Sequence, residues 1–251
     1  INSDRALMSA SIARAVYRSF VRLAQDIERS ERPLVLSDIP QTIHIGHGRM
    51  VDYSPDAMAK IVFPALGGLH VESAELRRED VMRLVRLLFR EGQVDIDAAL
   101  STLRALRVQV LRIPATTVTR RHGLRVEMAS YALPRSSGRR EALYAFPYRI
   151  RITNEAKEAR EVVARHWMIA DANSDVQSVP RWAQGVVGAT PRLRTGDTFE
   201  YMSYSELPTT TGTMHGAFQV ACDDLLVEVP VGPVALGTQY MLPDGYEAES
   251  S

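Results

Sequence analysis

The chain has 251 residues and a mass of 28.0 kDa, enough for one large domain or two smaller ones. Apolar residues make up 45%, charged residues 24% and aromatics 7%, which excludes a disordered chain, a collagen-like chain and a disulfide-stapled miniprotein, and leaves Val, Leu, Ile, Ala and Met to build any core. The 30 basic and 30 acidic residues cancel to a formal net charge of zero, which argues against a surface bathed everywhere in nucleic acid, and no stretch of about 18 apolar residues predicts a membrane span.

The basic side is nearly all arginine, with Lys60 and Lys157 the only lysines. A GC-rich genome accounts for that bias; an arginine surface packed against RNA or acidic proteins is the sharper reading, because guanidinium forks match phosphates and carboxylates. Cys222 is the single cysteine, so an intrachain disulfide and a cysteine zinc site are both excluded, and a reducing compartment fits. The sequence begins at Ile1 without a methionine, as a processed form or a fragment would. Removal of an organellar presequence leads to a mitochondrial expectation, with plastid and cytoplasm as alternatives. Residues 241–251 are acidic and polar and are expected to be a disordered tail.

In chain order, helical periodicity comes first. Ile12, Val16, Phe20, Leu23 and Ile27 recur at three- and four-residue steps between Met8 and Glu31, an amphipathic helix that Pro33 ends. Residues 33–53 read as a connector with Pro40, Gly46 and Gly48. Ser54 caps a short helix with Pro55 at its first position. Ser73 starts another, with Leu76, Val81, Leu84, Val85 and Leu88 as its stripe and Gly92 as its C-cap. Asp95 or Asp97 starts a last helix that stops before Pro114. From Gly123 onward the period drops to two: Leu124, Val126 and Met128; Tyr148, Ile150 and Ile152 against Arg149, Arg151 and Thr153; Phe199 and Tyr201; Phe218 and Val220; Leu225, Val227 and Val229. Short strands with turn signals predict an antiparallel sandwich or barrel. The organisation is thus a helical region over 1–113 and a β domain over 114–240.

His44-Ile45-Gly46-His47 matches a signature of class I aminoacyl-tRNA synthetases, but no alternating strand–helix context surrounds it and the companion lysine loop has no lysines to build it. The same histidines lack a third metal ligand. Val16-Tyr17-Arg18 with Phe20 loosely resembles the Leu-Tyr-Arg motif of mitochondrial helical proteins, yet Val16 and Phe20 also lie on the core stripe. Of His166-Trp167 on a strand, one side chain is buried and the other exposed. Asp223-Asp224 reads as a hairpin tip. His70, His122 and His215 have no triad partner, no serine sits in a nucleophile elbow and no phosphate loop occurs, so the chain reads as non-enzymatic and cofactor-free.

The second half resembles the ApaG family from about Leu124 to Leu236. The resemblance is carried by Tyr148-Arg149-Ile150-Arg151-Ile152-Thr153-Asn154, by Arg165-His166-Trp167-Met168-Ile169-Ala170-Asp171-Ala172, by Gly185-Val186-Val187-Gly188, by Phe199-Glu200-Tyr201, and by Gly212-Thr213-Met214-His215-Gly216. It implies a β-sandwich of the fibronectin type III or immunoglobulin-like kind, so that the fold class is α + β multidomain, small helical region first and antiparallel sandwich second. Gly212 and Gly216 suit a hairpin that needs positive φ or close backbone approach. The loop Ala183-Gln184-Gly185-Val186-Val187-Gly188 stands where ApaG-like sequences carry a fuller glycine pattern linked to pyrophosphate. Here Ala183 replaces the first glycine, which leaves Gly185, Val186, Val187 and Gly188 as a candidate anion cradle. In eukaryotes such domains are appended to other modules, as in F-box proteins and a polymerase-delta-interacting protein, which implies protein–protein contact. Arg165, His166, Trp167, Gly212, Met214 and Gly216 are the interaction or structural positions it marks. The N-terminal helices do not match an F-box. The resulting expectation is a subunit or assembly factor of a large organellar complex, best a mitochondrial ribosome or its assembly intermediate, with protein subunits and rRNA as partners. The alternative is a pyrophosphate or nucleotide sensor using the 183–188 loop.

Overall fold

The computed structural model describes residues 2–38, 43–63, 74–89, 95–133, 143–241 and 248–250. They form two compact units, Ile1–Asp38 with Tyr53–Ile113, and Ile39–Asp52 with Pro114–Ser251.

In the first unit, α1 (Asn2–Arg29) buries Val16, Phe20, Ala24 and Ile27 along one stripe. Glu31 then adopts a left-handed φ of 56°, the conformation that commonly follows a helix C-terminus, and Pro33 prevents continuation. β1 (Leu34–Val35) follows. β2 (Ile43–Ile45) and β3 (Gly48–Val51) belong to the second unit. α2 (Pro55–Val62) starts as expected: the Ser54 hydroxyl accepts the Ala57 N–H at 3.1 Å, with Pro55 at the first position. β4 (Glu75–Leu76) pairs antiparallel with β1. α3 (Arg78–Leu88) therefore starts five residues later than Ser73, and Leu76, expected on its stripe, is buried in β4 opposite Leu34. Ser73 and the expected C-cap Gly92 lie outside the described residues. α4 (Ile96–Leu111) is capped by the Asp95 carboxylate, which accepts the Ala98 N–H at 3.0 Å. Buried Gln109 on α4 accepts the Ser37 N–H and donates to the Ser37 carbonyl, each at 3.0 Å, so a side-chain amide replaces a missing strand partner beyond β1.

The second unit is a sandwich of two sheets. β5 (Thr116–Arg121), β6 (Leu124–Ser130), β7 (Tyr144–Asn154) and β11 (Thr198–Leu207) are consecutive antiparallel neighbours in one. β8 (Arg160–Asp171), β12 (Thr211–Cys222) and β13 (Leu225–Gly237) make the other, with β9 (Val176–Gln184) and β10 (Arg192–Leu193) both on the far side of β8. Alternate residues of both sheets meet in the core: Val126, Met128, Ile150, Ile152, Phe199 and Tyr201 from one, Trp167, Met214, Phe218 and Val220 from the other. Trp167 is 1% exposed, its ring 5.4 Å from Phe218 and 6.3 Å from Tyr148, both edge-on. At roughly 25 cal/mol per Å², each such aromatic stabilises the fold by about 2–3 kcal/mol.

Two sequence expectations are corrected here. The stretch 33–53 is not a plain connector: β3 pairs antiparallel with Thr198–Tyr201 of β11, and β2 pairs parallel with it at Met202. These strands satisfy the edge of β11 left open by β7. The tail is not wholly irregular either, since β14 (Ala248–Ser250) runs parallel to β2. Residues 242–247 lie outside the described residues.

Several polar residues that alternate with the core are themselves buried, namely Arg125, Glu127, Arg149, Arg151 and Glu200, while Arg49 at the outer end of their row is exposed. Arg49, Glu200, Arg151 and Glu127 stand directly opposite one another on β3, β11, β7 and β6, a row of alternating sign on the sheet face turned away from the sandwich core. Arg151 Nε meets Glu200 Oε2 at 2.7 Å and its Nη1 meets Glu127 Oε1 at 3.4 Å. Arg125 flanks Glu127 at 2.9 Å and Arg149 flanks Glu200 at 3.8 Å.

Candidate interaction site

The feature that departs most from regular sheet geometry lies on β8 and β9. Arg165 pairs with Ala183 and Trp167 with Val179, so Pro180, Arg181 and Trp182 together oppose the single residue His166. Three residues against one make this a special bulge, and Pro180 explains its place: proline has no N–H to give a ladder, so it is confined to edges and bulges. The His166 ring, through Nδ1, bonds the Val179 carbonyl at 2.9 Å, at one foot of the bulge. At the other foot Arg165 Nη1 donates to the Gly185 and Gln184 carbonyls at 2.5 and 3.4 Å. Arg181 reaches across to Glu228 on β13 at 3.2 Å.

Trp182 at the bulge has φ 70°, which glycine tolerates and bulky side chains rarely adopt, and the residue is 56% exposed. Val176, at the start of β9, is 55% exposed. β9 bonds only β8 among the described residues, so its outer edge offers free N–H and C=O groups beside an exposed indole. The arrangement holds an aromatic anchor and an open strand edge in fixed relation, which suits recognition of another chain.

The six resemblance-marked positions divide by role. Arg165 and His166 hold the bulge, while Trp167 and Met214 fill the core. Gly212 and Gly216 lie inside β12, neither in a turn nor at positive φ. They serve close approach: a Cβ on Gly216 would fall 1.9 Å from the His166 carbonyl oxygen, and one on Gly212 2.6 Å from that of Ala170. Gly216 thereby lets β12 press against β8 at the residue facing the bulge.

The 183–188 loop has a different geometry from a phosphate cradle. Val187 and Gly188 have φ of 46° and 79° between Val186 and Ala189, whose N–H and C=O groups bond each other at 2.7 and 3.0 Å. That is a two-residue hairpin turn of the type with two left-handed residues. The Gly185 N–H is committed to Val163 at 2.8 Å and the Val186 N–H to Ala189, so two of the four candidate amides already have partners. Arg165 faces this loop through its carbonyls.

His44–His47 spans the end of β2 and a turn with Gly46 at φ 85°, not the head of a helix. Tyr17 lies edge-on to Phe89 at 5.4 Å, beside buried Val16 and Phe20. His122 and Asp223 sit at hairpin tips with φ of 52° and 51°, and His215 is exposed on β12. His70 lies outside the described residues. Among the described residues no three His, Cys, Asp or Glu side chains group to hold a metal, and no helix is long and apolar enough to cross a membrane. Sequence reasoning passed over Trp182, although Pro180 within a strand pattern was a signal for an edge bulge.

The sequence profile of the ApaG domain matches residues 134–222, from just before β7 to the end of β12. The chain is 41% identical over 123 residues to protein ApaG of Ralstonia nicotianae, covering 49% of this chain and 98% of that protein. It is 46% identical over 82 residues to protein ApaG of Chromobacterium violaceum, covering 33% of this chain and 64% of that protein. The crystal structure of an ApaA protein from Bordetella pertussis is 37% identical over 45% of this chain and 92% of that one, with a TM-score of 0.42. Through its C-terminal half, therefore, the chain belongs to the ApaG family.

Proposed function

We propose that this protein is a non-enzymatic interaction protein whose sandwich grips a neighbouring polypeptide at the β9 edge. The observation that carries the reading is Trp182, held half-exposed in a left-handed conformation on an edge strand whose outer hydrogen-bonding groups are free. Strain of this kind persists where surrounding structure over-determines it, and here Arg165, His166 and Arg181 pin both feet and the crown of the bulge. Exposed aromatics on rigid elements are the anchors that dominate protein interfaces.

The specific setting we favour is a subunit or assembly factor of a large organellar complex, a mitochondrial ribosome or its assembly intermediate, with rRNA among the contacts. The arginine-dominated basic set supports it, since forks suit phosphates. The same reading places the protein in mitochondria. The test is affinity isolation of the tagged chain from organelles followed by gradient sedimentation. A large particle carrying wild type but not Trp182→Ala is expected. Migration of wild type only as a free monomer overturns the reading. Calorimetric titration with pyrophosphate separates it from a sensor role for the 183–188 loop: no heat is expected, whereas binding abolished by Gly185→Val would favour the sensor.

A further inference from the structure

The helical unit carries a second surface. α1 and α3 run antiparallel, joined at one end by the Glu28–Arg78 ion pair at 3.5 Å and at the other by Tyr17 and Phe89, whose ring centroids are 5.4 Å apart. Each helix buries one flank: Val16, Phe20, Ala24 and Ile27 on α1, Val81, Leu84 and Val85 on α3. Viewed with the partner helix in front, the buried flank lies on the same hand for both antiparallel helices, so their exposed flanks open to the same side. On that side α1 presents Arg14, Arg18 and Arg22, and α3 presents Arg83 and Arg86, all exposed.

No acid interrupts either row. Neither Ala10–Gln25 nor Val81–Phe89 contains an Asp or Glu. None of the five arginines pairs with a carboxylate among the described residues; Arg14 and Arg18 turn back to helix carbonyls, Ala10 O at 3.2 Å and Arg14 O at 3.3 Å. Like charges four residues apart destabilise a helix by tenths of a kcal/mol each, so the row is held against its own repulsion. At the opposite end Glu28, Glu31 and Glu79 gather with Arg32, Arg77 and Arg78 around a shared cleft, and charge there is locally balanced. The unbalanced stretch is thus bounded.

We infer that this two-helix arginine face binds the phosphate backbone of a nucleic acid. Successive arginines on α1 step by about 6 Å along the axis, and the second row lies about 8–10 Å away. That is a regular lattice of guanidinium forks uninterrupted by acids, which suits the evenly spaced phosphates of a nucleic-acid strand. Tyr17, 38% exposed between the rows, offers a ring on which a base can rest. The inference deepens the rRNA reading above and rests on it only for the presence of nucleic acid in the assembly.

The test uses the full chain and a fluorescent oligouridine of about 20 nucleotides, followed by anisotropy between about 50 and about 200 mM salt. Affinity is expected to fall steeply with salt. R14Q/R18Q/R22Q should weaken binding about 10- to 100-fold at the low-salt end and reduce the log–log salt slope by about 2–3. The corresponding triple lysine variant should keep the slope, which separates charge loss from misfolding. R192Q/R194Q, exposed in the sandwich unit, should change neither. Absence of binding at low salt overturns the proposal. So does equal loss in the sandwich control, or equally tight and equally variant-sensitive binding of polyglutamate, which would make the face a protein contact. Because the assay uses naked RNA, its outcome is independent of organelle copurification.

Discussion

Replacing Glu200 with Gln removes one negative charge that faces two buried arginines, Arg151 and Arg149, and one exposed arginine, Arg49. With Arg151 Nε 2.7 Å from Glu200 Oε2, the charge centres lie about 4 Å apart, worth about 4 kcal/mol at an effective dielectric of about 20. Burying the two ions costs several kcal/mol each, so the intact pair contributes little net stability. Its interruption is another matter. Arg151 is 7% exposed and Arg149 3% exposed, so both positive charges stay in place with their common acceptor neutralised. Arg151 keeps Glu127 at 3.4 Å, so the expected loss is about 2–3 kcal/mol, below the roughly 3–5 kcal/mol of a fully uncompensated buried charge but still a large share of the roughly 5–15 kcal/mol that holds a domain folded. Urea denaturation followed by near-UV circular dichroism measures it as a lower midpoint at unchanged m-value. The double variant Glu200→Gln with Arg151→Met should recover more than half of the loss. A Glu200→Gln penalty under about 1 kcal/mol, or no recovery in the double variant, would refute the account. The pH dependence has a definite sign. Burial alone would raise the Glu200 pKa, but the Arg151 and Arg149 charges and the Arg151 and Arg49 hydrogen bonds outweigh it and hold the group below its ordinary 4.5. A carboxyl lowered in the folded state contributes stability that is fully present above the unfolded value and lost as pH falls through the folded one. Wild type should therefore lose this contribution below about pH 4.5, and the Gln variant should show a shallower acid decline.

Other outcomes follow from the same geometry. Gly216→Ala should destabilise by about 2–3 kcal/mol in the same denaturation assay, because the new methyl meets a backbone carbonyl that cannot rotate away. Gly188→Ala should destabilise by about 1 kcal/mol, since alanine is forced into the left-handed turn at φ 79° where its methyl would touch nothing; an unchanged midpoint would contradict the turn assignment. Burial raises the Tyr148 phenol above its ordinary 10.0 and raises Tyr201 further, so both stay protonated in the fold, and the stability they contribute is present below about pH 10 and declines as pH rises above it; spectrophotometric titration should show their ionisation only together with unfolding.

The sequence by itself determined the local and periodic features of this protein. Ser54 with Pro55 and Asp95 fix helix starts because capping needs only a few adjacent residues. Val126, Ile150 and Phe218 announce a sandwich because the strand period places them on one face. The alternation says that one of His166 and Trp167 is buried, and Trp167 is the one in the core. Only tertiary structure decided the rest. Nothing in the sequence joins Arg151 to Glu200, since charge and period carry no information about what lies opposite; 49 residues separate them, and the strand register alone brings them to 2.7 Å. Residues 43–51 read as a connector because two short strands hold too few residues for a period to show, and their structure depends on the edge of β11, which lies about 150 positions along the chain. Trp182 was likewise silent, because a bulge is a mismatch between two strands and neither strand contains it alone.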